Sequence, residues 1–165
     1  MSESLWTPAY IALGSNLDDP RAQVERGFVA LATLPRSRLV LRSRLYASQP
    51  LGSIPQPDFV NAAAGVLTQL SPRDLLRSLK RLEAELGRAT PVERWGPRRI
   101  DFDLLAYADV RVAETDLTIP HPGIPKRNFV LYPLAEIAPD LLIPNVGIVR
   151  ALATRASAEG LQVLQ

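Results

Sequence analysis

The sequence of 165 residues contains no cysteine. Disulfides, thiol nucleophiles and cysteine-ligated zinc are therefore excluded. Its single histidine, His121, leaves oxygen groups and one imidazole as the available metal ligands. Lysine is nearly absent too: Lys80 and Lys126 are the only two among 19 basic residues, and arginine supplies the rest. No apolar run approaches the roughly 20 residues needed to span a bilayer. Residues 1–7 lack a basic start followed by a long apolar stretch, so a soluble, cytoplasmic chain without membrane contact is expected. The formal charge of only +2 gives no argument for nucleic acid. Missing as well are G-x-x-x-x-G-K-[ST], G-x-G-x-x-G and G-x-S-x-G, so neither a P-loop nor a Rossmann nucleotide site is available.

What is present is a globular composition, 47% hydrophobic and 22% charged, with mean hydropathy near zero. That length suits one domain over residues 1–165, with a core at about 9–144 and a tail at 145–165. Residues 8–14 form a short apolar run ending in Gly-Ser-Asn, as a buried strand entering a turn does. Asp18, Asp19 and Pro20 precede Val24, Phe28, Leu31 and Leu34 at helical spacing. Leu39, Leu41 and Leu45 mark a second strand, followed by a long loop from Ser48 to Asp58 with Pro50, Gly52, Pro55 and Pro57. Residues 59–70 give a third strand, antiparallel to the second. Ser71, Pro72 and Asp74 then supply the cap, first-position proline and first-turn acid of a helix carrying Leu75, Leu79, Leu82 and Leu86. Periodicity vanishes over residues 88–99 and returns as a strand at 100–107. A short helix is expected within 127–139, and beyond Ile148 the tail is weakly helical. The order strand, helix, strand, strand, helix, strand predicts an α+β fold of ferredoxin-like type, an antiparallel sheet with helices on one face and long loops.

Asp101 and Asp103 flank Phe102 in an apolar strand, so period two puts both carboxylates on one face. Two adjacent acids repel unless a cation lies between them, and magnesium favours such oxygen ligands together with substrate phosphates. Arg88, Arg94, Arg98 and Arg99 stand on the preceding loop, where their forked donors suit polyphosphate. Trp95 offers an aromatic cover. His121 lies between two prolines, close to Lys126 and Arg127, and reads as a phosphate contact with Arg127. Asn61, inside an apolar strand, needs a partner: a flat heteroaromatic ligand and a backbone group serve equally.

These residues resemble a known family. Residues 10–17 (YIALGSNL), 57–62 (PDFVNA), 93–98 (ERWGPR) with Asp101-Phe102-Asp103, and Pro120-His121-Pro122 with 129–134 (FVLYPL) are similar, in order, to 6-hydroxymethyl-7,8-dihydropterin pyrophosphokinases from about Ala9 to Pro144. The resemblance implies transfer of the β,γ-diphosphoryl group of ATP to the pterin hydroxymethyl oxygen, with release of AMP, in folate biosynthesis. It implies two Mg²⁺ ions on Asp101 and Asp103, and Arg88 and Arg98 on a catalytic loop. ATP would be contacted by Lys80, Glu83, Arg98, Leu104, Thr118, His121 and Arg127. The pterin would lie between Phe59 and Phe129 under Trp95, read by Asn61 and the chain near Ser48, Gln49 and Leu51. Small-molecule substrates and a monomer are the expectation. The chain departs from the family at Thr90 and Pro91, at Phe59, where a tyrosine is common, and at Asp116, which replaces a basic residue.

Two other readings share these features. A catalytically silent paralogue would retain nucleotide and pterin binding without turnover. A ferredoxin-like RNA-binding module would need exposed aromatics in the RNP pattern, which the sequence lacks.

Overall fold

The computed structural model describes residues 5–87 and 99–164. Strand β1 (Thr7–Ser15) runs into a turn that ends at Asp19. The Asp19 carboxylate accepts from the Ala22 amide at 3.3 Å, and Pro20 opens helix α1 (Pro20–Leu31). Strands β2 (Ser37–Arg42), β3 (Tyr46–Ser48) and β4 (Phe59–Thr68) follow. Helix α2 (Pro72–Glu85) starts as the sequence announces, with the Ser71 hydroxyl accepting from the Asp74 amide at 3.1 Å. Then come β5 (Asp101–Tyr107), a hairpin of β6 (Val112–Ala113) and β7 (Thr118–Ile119), and a 3-10 turn (Ile124–Lys126). Helix α3 (Asn128–Ile137), a hairpin of β8 (Leu142–Ile143) and β9 (Gly147–Ile148), helix α4 (Val149–Arg155) and strand β10 (Leu161–Val163) complete the chain.

The main sheet has the order β10, β3, β4, β1, β5, with β2 also paired to β4, and every pairing in it is antiparallel. Alternation along β1 sends Ala9, Ile11 and Leu13 into a core with Val24 and Phe28 of α1 and Leu75 and Leu79 of α2. Tyr10 and Ala12 point the other way, toward Val130, Leu131 and Leu134 of α3. Gly27 lets α1 sit close: a Cβ there would lie 2.9 Å from Leu13 and 3.2 Å from Ile100.

The fold agrees with the α+β, ferredoxin-like expectation and corrects three details. Helices cover both faces, because α3 and α4 build a second apolar cluster opposite α1 and α2. The stretch expected as one strand is split into β2 and β3. The register shifts between Leu39 and Leu41, and Ser43 leaves the ladder to bond Ala63 through both its own amide and its hydroxyl. Leu41 is consequently exposed. The tail is not merely helical: after α4 it returns as β10, a sheet edge paired with β3. Among the described residues no helix is long and apolar enough to cross a membrane.

Candidate active site

Strand β5 sorts its side chains as period two requires. Phe102 is buried in the core beneath α1 and α2, while Asp101 and Asp103 open onto the α3 side. There they line a pocket of about 140 Å³ together with Phe59, Asn61, Arg127 and Phe129. Ala12 and Gly14 of β1, the strand between β4 and β5, line the pocket between the acids and Phe59. The Asp103 carboxyl is pushed up to about 7, first by burial, then by the charge of Asp101, with Glu83 adding to it and Lys80 and Arg127 opposing.

β5 is the last strand of the sheet, so the amide of Phe102 points away from β1 and needs another acceptor. Glu83 supplies it: the side chain is 2% exposed, and its Oε2 accepts from Phe102 at 2.7 Å. The other oxygen lies 3.4 Å from Lys80 Nζ. Glu83, expected at the nucleotide, here fixes the backbone between the two acids. On the same edge the His121 amide donates to Leu105 O at 2.9 Å. The imidazole Nδ1 accepts from the Gly123 amide at 2.9 Å, which places the proton of the neutral ring on Nε2. Burial, then the Arg127 charge, lowers the His121 pKa, partly offset by Asp101, so the ring is neutral at pH 7. Arg127 itself folds over Gly123, where a Cβ would come within 2.7 Å of its Nε.

At the opposite end of the pocket Asn61 is 5% exposed, and its Nδ2 donates to Ser48 Oγ at 2.6 Å and Tyr46 O at 3.4 Å. The amide nitrogen is therefore satisfied within the protein, and Oδ1 is turned toward Gly14 at the pocket wall. Gln49 and Leu51, exposed on the loop after β3, complete this side. That loop is tied down by a residue the sequence marks only as part of a turn: buried Asn16 donates to Gln56 Oε1 at 2.8 Å and Pro57 O at 3.0 Å.

Of the residues singled out in the sequence, Asp101, Asp103, Arg127, Ser48, Gln49, Leu51, Phe59, Asn61 and Phe129 line one pocket. Lys80, Glu83, Thr118 and His121 do not line it, and the Leu104 side chain is buried in the core on the far face. Arg88, Thr90, Pro91, Trp95 and Arg98 lie outside the described residues. Gly87 and Arg99, which bracket them, are joined, since Arg99 Nη1 donates to Gly87 O at 3.1 Å and its Nε to Asp18 at 2.9 Å. Asp116 is engaged by Arg73 at 2.6 Å, with Glu114 on the same guanidinium, so its charge is spent on the start of α2. Among the described residues no cluster of three or more metal-ligating side chains forms. The acid pair matches instead a cation that takes most of its ligands from phosphate and water.

An α+β fold with an aromatic-walled slot opening onto paired carboxylates is the class of architecture that the described residues define. Residues 10–139 match the model of the 7,8-dihydro-6-hydroxymethylpterin-pyrophosphokinase (HPPK) family. The chain belongs to that family. It is 44% identical over 155 residues to a 2-amino-4-hydroxy-6-hydroxymethyldihydropteridine pyrophosphokinase of Pseudomonas aeruginosa, covering 94% of this chain and 95% of that one. To the Haemophilus influenzae protein of the same name it is 46% identical over 144 residues, covering 87% and 89%. A folic acid synthesis protein of Schizosaccharomyces pombe matches at 38% over 136 residues, 82% of this chain but 18% of that longer one. The fold is also that of the crystal structure of Plasmodium falciparum HPPK-DHPS with pteroate, with a TM-score of 0.72 at 14% identity. The match covers 94% of this chain, which spans 43% of the length of the Plasmodium one.

Proposed function

We propose that this chain transfers the β,γ-diphosphoryl group of ATP to the hydroxymethyl oxygen of 6-hydroxymethyl-7,8-dihydropterin, with Mg²⁺ held by Asp101 and Asp103. The observation that carries this is the single pocket in which those two acids meet Phe59, Asn61 and Phe129. The pterin ring lies between the two phenylalanines, with a ring donor on Asn61 Oδ1, and its hydroxymethyl arm extends toward the acids. Arg127 and neutral His121, through Nε2–H, hold phosphate oxygens. The fit of Mg²⁺ follows from the donor set: two carboxylates, one of them raised by burial and then by the other's charge, gain from a cation that phosphate oxygens can share. When bound, Mg²⁺ supplies positive charge against the developing charge of the phosphates.

The substrate oxygen forms a bond to the β-phosphorus while the bond from that phosphorus to the α,β-bridging oxygen breaks. AMP leaves with the bridging oxygen, and the hydroxyl proton passes to water. Positioning and charge neutralisation carry the rate, and the chain's residues supply both by fixing the two substrates in line. The test is to combine the protein with Mg²⁺, ATP and 6-hydroxymethyl-7,8-dihydropterin and measure nucleotide products. AMP formed only in the presence of pterin is expected. ADP as the product, or no nucleotide product at all, would sink the reading.

A further inference from the structure

We infer that residues 156–164 are a strap that sets the width of the pterin slot, with Asn128 and Tyr132 as positioning residues that act through it. The inference rests on the assignment of that slot to pterin. Phe129 stands on α3, whereas Ser48, Gln49 and Leu51 belong to β3 and the loop after it, so the walls sit on different elements. At the far end of α3 the two are joined directly, since Tyr46 Oη and Arg44 Nε both donate to Glu136 Oε1, at 2.6 Å and 3.0 Å. At the Phe129 end the strap supplies a link.

On the helix side, Asn128 Nδ2 donates to Ser157 O at 2.8 Å and Glu159 O at 3.0 Å, and Tyr132 Oη donates to Ala156 O at 2.7 Å. On the sheet side, β10 pairs Leu161 with Ser48 and Gln162 with Ala47, and the Leu164 amide donates to Leu45 O at 2.8 Å. Ser48 in turn accepts from Asn61, so the register of the strap reaches the amide that reads the ring. Between these anchors Gly160, at φ 73°, runs beside Gln49, whose carboxamide would stand in ordinary contact, 3.4 Å, with a Cβ there. A neighbouring groove of about 430 Å³ is lined by both segments. Its strap residues, among them Ser157 and Gly160, share it with Ser48, Gln49 and Phe129 from the slot. The strap therefore backs the slot walls, and ordering them before the ligand arrives lowers the cost of binding.

Asn128→Asp keeps the side-chain shape but turns two attractions to carbonyls into repulsions, and Tyr132→Phe removes one donor. Steady-state kinetics on the full chain should show the pterin KM rising about tenfold in Asn128→Asp and about threefold in Tyr132→Phe, with kcat and the ATP KM within about twofold of the parent. Should Asn128→Asp fail to fold, Tyr132→Phe alone decides. An unchanged pterin KM, even with a lower Tm, would overturn the inference, and so would an equal rise for both substrates. No pterin-dependent AMP from the unsubstituted chain would overturn the reading beneath it, an outcome seen before any variant is made.

Discussion

At the scale of single residues, Asp103 shows a site built against the stability of its own fold. Its carboxyl titrates near 7 in the folded chain, against 3.8 as the ordinary value, because burial and Asp101 both disfavour its charge. At about pH 2, well below the ordinary 3.8, both states hold the proton and nothing is lost. As pH rises from there toward 7 the unfolded chain ionises first, so stability falls, and above 7 the penalty stays constant. Asp103→Asn removes that penalty. At pH 8 without substrates the variant should be more stable by up to about 4 kcal/mol, with a higher Tm, and the difference should be gone at about pH 2. Turnover should be lost in the same variant, since a carboxamide is a poor magnesium ligand. A lower Tm at pH 8 would show that Asp103 is a structural acid. The acid pair itself is legible in the sequence from period two alone. The part played by Glu83 is not: its spacing from Lys80 suggests only a helix-surface ion pair, and nothing local reveals that the Phe102 amide faces outward at a sheet edge.

At the scale of elements, α3 is docked at its C-terminal end by one carboxylate. Glu136 accepts from the Tyr46 hydroxyl and from the amide and Nε of Arg44. Burial alone would raise its pKa, but the Tyr46 hydroxyl and the Arg44 donors outweigh it and the net direction is downward. Burial, and then the same contact, pushes Tyr46 up to about 12. An acid depressed in the fold contributes stability above its ordinary pKa of 4.5, and loses it as pH falls through the folded value. Tyr46→Phe should therefore cost about 1–2 kcal/mol in urea unfolding at pH 7, with the gap narrowing below about pH 4. An equal gap at both pH values would mean that the loss comes from packing. Elements differ in how much of themselves they write locally. Helix α2 is plain in the sequence because Ser71, Pro72 and Asp74 mark its start and leucines mark its face. β10 is not, since three residues carry too little alternation, and its place is set by Asn128, Tyr132 and the edge of β3. The break between β2 and β3 is likewise decided by Ser43 reaching Ala63 across the sheet.

At the scale of the whole molecule, the apolar core and the acid pair proposed to bind metal are distinct sets of residues. Apolar clusters on both faces of the sheet hold the fold, and the two acids proposed to take Mg²⁺ belong to neither cluster, although Leu13 and Val130 of the clusters help to wall their pocket. Treatment with EDTA should abolish pterin-dependent AMP formation and leave the Tm of the substrate-free protein within about 2 °C. A collapse of Tm on chelation would make the cation a structural one. The hydrogen bonds along β5 also bear on how the protein behaves in a crowded solution. A terminal strand with open amides and carbonyls invites a strand from another molecule to add to it. Here the Glu83 carboxylate occupies the amide of Phe102 and the His121 amide occupies the carbonyl of Leu105. The strand that bears the acid pair is thereby kept from acting as a template for aggregation.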